Sequence, residues 1–182
     1  MTSESNTRFK LDEARHYLTL LDSLLDKPER FLYTFSAYLS AARSVTFLMQ
    51  AEFSKDKAFE EWYRSKVNHA LFRLFNDLRV ENVHCSVLQL HFRSTFGPAD
   101  SPMGGKMLYH MESFGLGPFG RDSYRRFKEV NEKIKDAQGK GMKETVEWRF
   151  PSTGESVIEA SIKYFDLLEK LVNECEKRHL QN

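Results

Sequence analysis

Apolar residues recur at helical spacing from residue 8 to residue 80. Leu11, Ala14, Leu18, Leu21 and Leu25 share one face of a helix predicted over 8–25. The stretch DKPE then restarts the chain, because Pro28 suits a first helical position and Glu29 favours the positive helix end. A second helix is predicted over about 28–52, with Phe31, Phe35, Tyr38, Ala42, Val45 and Met49 along one stripe. Beside that stripe Ser36, Ser40 and Ser44 form a ridge of small residues where another helix could approach closely. Asp56 is placed to cap a third helix carrying Phe59, Trp62 and Tyr63. LFRLFNDL either continues that helix or forms a fourth.

After His84 the period changes from 3.6 to 2. In SVLQLHFRST, Leu88, Leu90 and Phe92 alternate with Gln89, His91 and Arg93, which reads as a strand with one wet face. FGPADSPMGG is a loop and KMLYHMESF a candidate returning strand. GLGPFGRD is again a loop, followed by a short helix expected over about 122–137. TVEWRF alternates Val146, Trp148 and Phe150 and reads as a further strand. Ser152 with Glu155 fits a capping box for a last helix bearing Val157, Ile158, Ile162, Phe165, Leu168 and Val172. The predicted fold is mainly α: an up-and-down helical bundle with a small antiparallel β-insertion, about 85–150, between the third or fourth helix and the last. The chain of 182 residues is expected to be one domain, with residues 1–7 a flexible N-terminus.

Charge narrows the function classes only a little. Lys and Arg number 27 against 26 Asp and Glu, so nothing in the balance pulls the whole chain toward nucleic acid or membrane, although a local basic cleft remains compatible with it. The start, MTSESNTRFK, lacks the basic-then-apolar pattern of a signal peptide. FLYTFSAYLSAARSVTFLMQ has the length of a membrane span, but its Ser, Thr, Tyr and Arg content favours a buried central helix. Cys85 and Cys175 form neither a disulfide framework nor a metal-type spacing, so a reduced, cytoplasmic setting is expected.

Most of the chemical motifs dissolve on inspection. GLGPFG matches G-x-G-x-x-G, yet Pro118 interrupts it and no βαβ pattern surrounds it, so it reads as a loop. The six histidines include no pair at i, i+4 helix spacing with nearby carboxylates, and neither a metal nor a cofactor is expected. No nucleophile elbow is present. Arg43 is the one formal charge in a twenty-residue helical span. Its simplest role is a packed stem whose head meets a carboxylate such as Asp77; a sharper one is a phosphate-facing cation at a cleft.

RVENVH, residues 79–84, makes the most definite offer. Arg79 and His84 lie five positions apart at the end of an apolar helix. On an ideal helix such positions diverge by about 140°, so the pair converges only if the helix ends between them or two copies of the chain meet. A second match, RSKVNH from Arg64 to His69, lies among charged residues with no abrupt change of structure expected after it.

The helical run followed by NDLRVENVH resembles the HEPN superfamily, marked by an arginine, four to six residues and a histidine near the end of a helical bundle. The resemblance covers about residues 8–94 plus the last helix. It departs from the family's nucleases at Val80, where Asn, Asp or His usually follows the arginine. His84 is followed by Cys85 and Ser86 rather than completing the His-x-Tyr of one toxin subgroup. What the resemblance implies is a metal-independent RNA endonuclease, of the toxin or phage-defence type, with Arg79 and His84 catalytic. It further implies a homodimer, and as partners RNA and an antitoxin or defence-system protein. The alternatives are an HEPN-like module that binds RNA or a nucleotide without cutting, and a helical protein-interaction module.

Overall fold

The computed structural model describes residues 5–53, 56–82, 89–98, 108–115 and 142–179. Five α-helices and one antiparallel sheet make up the described chain: α1 (Asn6–Leu21), α2 (Pro28–Phe53), α3 (Lys57–Val67), α4 (Ala70–Val80), β1 (Gln89–Pro98), β2 (Leu108–Gly115), β3 (Met142–Arg149) and α5 (Val157–His179). The chain is mainly helical, with the small sheet inserted between α4 and α5.

The first helix opens inside the stretch predicted to be a free N-terminus. Ser5 caps it by accepting a hydrogen bond from the Arg8 amide at 3.1 Å, and buried Thr7 donates to Glu52 of α2 at 2.7 Å. Its end comes earlier than predicted. After Leu21 a 3₁₀ turn, Asp22–Leu24, tightens the chain before Pro28 starts α2. Leu11, Ala14 and Leu21 are buried, while Leu18 and Leu25 pack at the margin of the core. Along the outer edge, Arg8 reaches Glu176 and Asn173 of α5, and Arg15 reaches Glu169 one heptad away. That ladder joins α1 to α5 along the surface.

Helix α2 is the centre of the molecule. The whole predicted stripe, from Phe31 through Met49, is inaccessible to solvent. No helix of the described residues is long and apolar enough to cross a membrane, α2 included. Aromatic rings relay the core from α2 to its neighbours: Phe75 of α4 meets Tyr38 edge-on at 6.2 Å and stacks on Tyr164 of α5 at 4.2 Å. The buried hydroxyl of Tyr38 donates to the Ser161 carbonyl at 2.9 Å, and burial holds its pKa well above the ordinary phenol value.

Asp56 caps α3 as the sequence suggests, accepting from the Ala58 amide at 2.8 Å. LFRLFNDL forms a separate helix, α4, and the break falls at Asn68–His69. His69 is its N-cap: Nδ1 accepts from the Leu71 amide at 3.2 Å. An abrupt change of structure therefore does occur at RSKVNH, contrary to the sequence reading.

The sheet has strand order β2-β1-β3, with both pairings antiparallel. Alternation along β1 buries Leu90 and Phe92, and along β3 it buries Trp148, with Phe150 just beyond the strand. Phe92 and Trp148 sit opposite each other in the register, their rings edge to face at 5.1 Å. Gly154, at φ +69°, turns the chain between β3 and α5, and its amide donates to the Phe150 carbonyl at 2.8 Å. The cap of α5 is Ser156, whose hydroxyl accepts from the Glu159 amide at 3.4 Å; Ser152 lies four residues too early. Ile162, expected on the inner face, is 47% exposed, because Ala160, Ser161 and Tyr164 carry the buried side of α5. The helix expected over 122–137 lies outside the described residues.

Candidate functional site

Arg79 lies in the last turn of α4, where a cation is favoured by the negative helix end. Its side chain is partly buried, and no hydrogen bond or ion pair joins it to another described residue. The helix changes character past Val80. Glu81 donates its amide to the carbonyls of both Asp77 and Leu78, and the backbone at Glu81–Asn82 takes up a wider π-type turn. Such a turn advances each residue by less than the roughly 100° of an α-helix. Beyond it, His84 lies outside the described residues, as does Cys85.

The two side chains between Arg79 and His84 that bear on the motif are both placed. Val80, in the position where a polar residue follows the arginine in the family's nucleases, is 48% exposed at the helix end. Asn82 donates its amide to the Ser36 hydroxyl of α2 at 2.8 Å. That bond ties the end of α4 to the small-residue ridge, so one part of the ridge serves packing within the bundle. Ser44 is also internally engaged, donating to the Ser40 carbonyl at 2.8 Å. The spacing-matched pair behaves differently. The Arg64 side chain is 76% exposed and held by Glu60 one turn back at 2.8 Å, while His69 is committed to its cap.

Arg43 is not paired as the simplest sequence reading expects. Its Nη1 donates to the Thr46 hydroxyl at 2.5 Å, and no ion pair joins it to Asp77. Instead, Arg43 and Asp77 line a common cavity of about 350 Å³, open to solvent on one side, among α2, α3, α4 and α5. Tyr63, Phe72 and Tyr164 form a buried aromatic floor, and Arg73, Asn76 and Asp77 an exposed rim on α4. Burial raises the pKa of both tyrosines, and the nearby Arg43 guanidinium pulls each back toward ionisation. Of these residues the sequence points to Arg43 and, as a carboxylate its head could meet, Asp77. Gln50, Tyr63, Arg73 and Tyr164 carry no local signal, because the cavity exists only once four helices meet.

Other chemistry is sparse. No group of three His, Cys, Asp or Glu among the described residues is placed to hold a metal ion. Cys175 is buried on α5. Burial first, then the charges of Glu176 and Glu52, push its thiol up to about 12. Native protein at pH 8 is therefore expected to leave Cys175 unalkylated by iodoacetamide over minutes, whereas denatured protein is labelled at once. Peptide mass spectrometry separates this site from Cys85, and rapid native labelling at Cys175 would contradict the packing of α5.

No protein-family model matches the chain, and neither a curated protein nor a solved structure is similar enough to count as a match.

Proposed function

We propose that the protein is an HEPN-type, metal-independent RNA endonuclease acting as a homodimer, with Arg79 and His84 of each copy at the cleft between protomers. One observation carries this reading: α4 ends at Val80, and the backbone at Glu81–Asn82, between the two motif positions, takes up a π-type turn. On an uninterrupted α-helix the Arg–His spacing would hold the two side chains apart. A wider turn between them reduces that divergence, and π-type turns occur often at functional sites. RSKVNH also straddles a helix break, so the break alone does not separate the two matches. What separates them is engagement: Arg64 and His69 are used locally, whereas Arg79 has no partner among the described residues.

The chemistry suits the pair. A neutral His84 takes the proton from a ribose 2′-hydroxyl, and the 2′-oxygen attacks the adjacent phosphorus. The bond from phosphorus to the 5′-oxygen breaks, and the protonated His84 of the second copy gives its proton to that oxygen. The Arg79 guanidinium forks onto the non-bridging oxygens as their charge develops. Products are a 2′,3′-cyclic phosphate and a 5′-hydroxyl, and DNA is spared because it lacks the attacking group. A toxin or phage-defence role, with an antitoxin or defence-system partner, follows from the same resemblance.

The test is cleavage of single-stranded RNA in excess EDTA, with the ends of the products identified. Light scattering should give twice the monomer mass at tens of micromolar. A protein that stays monomeric and leaves RNA intact would remove the nuclease reading in favour of binding without cleavage.

A further inference from the structure

The cavity among α2, α3, α4 and α5 has a composition that packing does not explain. Arg43, midway along the most apolar helix, is partly buried and lines this cavity with its guanidinium, without a carboxylate partner among the described residues. Its one hydrogen-bond partner among the described residues is a neutral hydroxyl, Thr46. A second guanidinium, Arg73, comes from α4 on the rim, with no ion pair or hydrogen bond to another described residue. The side-chain amides of Gln50 and Asn76 add donors, and Asp77 is the single carboxylate on the wall. With two cations and one anion, the cavity carries a formal charge of +1, and its donors outnumber what one carboxylate ligand can accept.

We infer that this cavity binds a small phosphate monoester, its phosphate held between Arg43 and Arg73 and its organic part against the rings of Tyr63, Phe72 and Tyr164. A phosphate brings about −1.5 to −2 charges and three acceptor oxygens, which answers two guanidinium forks where a carboxylate answers one. The volume of about 350 Å³ falls in the range of small-molecule pockets and is too small for a folded partner. Asp77 opposes the anion and sets an upper limit on affinity. This site is separate from Arg79 and His84, and the inference does not rest on RNA cleavage.

Calorimetric titration of the full chain tests it, with adenosine 5′-monophosphate as probe and inorganic phosphate, adenosine and citrate as comparators. Adenosine monophosphate should bind more tightly than each comparator. Arg43→Gln and Arg73→Gln should each weaken it about tenfold or more, the usual scale for a lost hydrogen bond to a charged group. Asp77→Asn should strengthen binding roughly threefold, and Arg30→Gln, on an exposed part of α2 away from the cavity, should change nothing. Should Arg43→Gln fail to fold, Arg43→Lys keeps the stem and charge, and exposed Arg73 carries the test independently. Absence of binding at millimolar probe, equal binding of adenosine or citrate, or full affinity in Arg73→Gln would each overturn the assignment. Loss of RNA cleavage in a His84 variant with unchanged probe binding would leave it standing.

Discussion

Trp148→Ala is expected to cost about 3–5 kcal/mol of folding stability, the range for truncating a large buried aromatic side chain. Trp148 is 1% exposed and is one of the residues by which the sheet packs on the bundle, with Leu90 and Phe92. Its ring stacks on Phe31 of α2 at 4.6 Å and meets Phe92 of β1 at 5.1 Å. The indole nitrogen donates to the Leu25 carbonyl at 3.0 Å, tying β3 to the turn between α1 and α2. Alanine would remove both ring contacts, leave that carbonyl short of a donor and open a cavity at the seam. Trp148→Phe should keep much of the stacking while losing the hydrogen bond, at a cost nearer 1–2 kcal/mol. Phe47→Ser, at a position 62% exposed, is the control and should shift stability by less than about 0.5 kcal/mol. Urea unfolding followed by circular dichroism reads all three. A Trp148→Ala midpoint close to wild type would mean that the sheet is not held by this seam.

The parts of this architecture that sequence reveals are those governed by short-range periodicity. The stripe on α2 repeats at helical spacing, and the structure buries it from Phe31 to Met49. The alternation of Leu90 with Phe92 and of Trp148 with Phe150 likewise marks β1 and β3. What stays hidden depends on competition between similar local signals. Ser152–Glu155 and Ser156–Glu159 both fit the capping pattern, and the second is used because the buried run begins at Val157. The break at Asn68–His69 contains neither glycine nor proline, and a histidine ring supplies the cap that marks it. Ile162 is apolar but sits about 100° round the helix from Ser161, which takes the buried position.

The candidate sites divide along the same line. RVENVH is contiguous, so the motif and the helix end are visible in sequence. What it does not show is the π-type turn at Glu81–Asn82, or the hydrogen bond that joins Asn82 to Ser36 of α2 across 46 residues of chain. The cavity around Arg43 is wholly non-local. An isolated arginine in an apolar helix marks a position of interest, but the cavity that it lines is completed by residues of α3, α4 and α5. Asp77, the natural candidate by charge, lines the same cavity without pairing with it.

If Arg79 and His84 cut RNA, His84→Ala should lower the cleavage rate about 10²–10⁴-fold, because it removes proton transfer at both the attacking and the leaving oxygen. Arg79→Ala should cost about 10²–10³-fold through lost stabilisation of phosphate charge, with little effect on folding, since no described residue relies on its guanidinium. Arg64→Ala should keep full activity, because an exposed i, i+4 ion pair with Glu60 is worth only a few tenths of a kcal/mol. His69→Ala is a less neutral control than spacing suggests. Losing the cap of α4 should lower stability by about 1 kcal/mol, so its activity must be compared well below its unfolding temperature. There it should cut like wild type. The rate should rise and fall with pH around the histidine range, since one imidazole must be neutral and the other protonated. Wild type and His84→Ala, purified identically and assayed on one RNA in excess EDTA, make the deciding comparison. Equal activity in the two would assign the cleavage to a contaminant and end the catalytic reading of RVENVH. If neither cuts, but wild type binds RNA with a steep loss of affinity as salt rises, the bundle would be an RNA-binding module held by phosphate contacts.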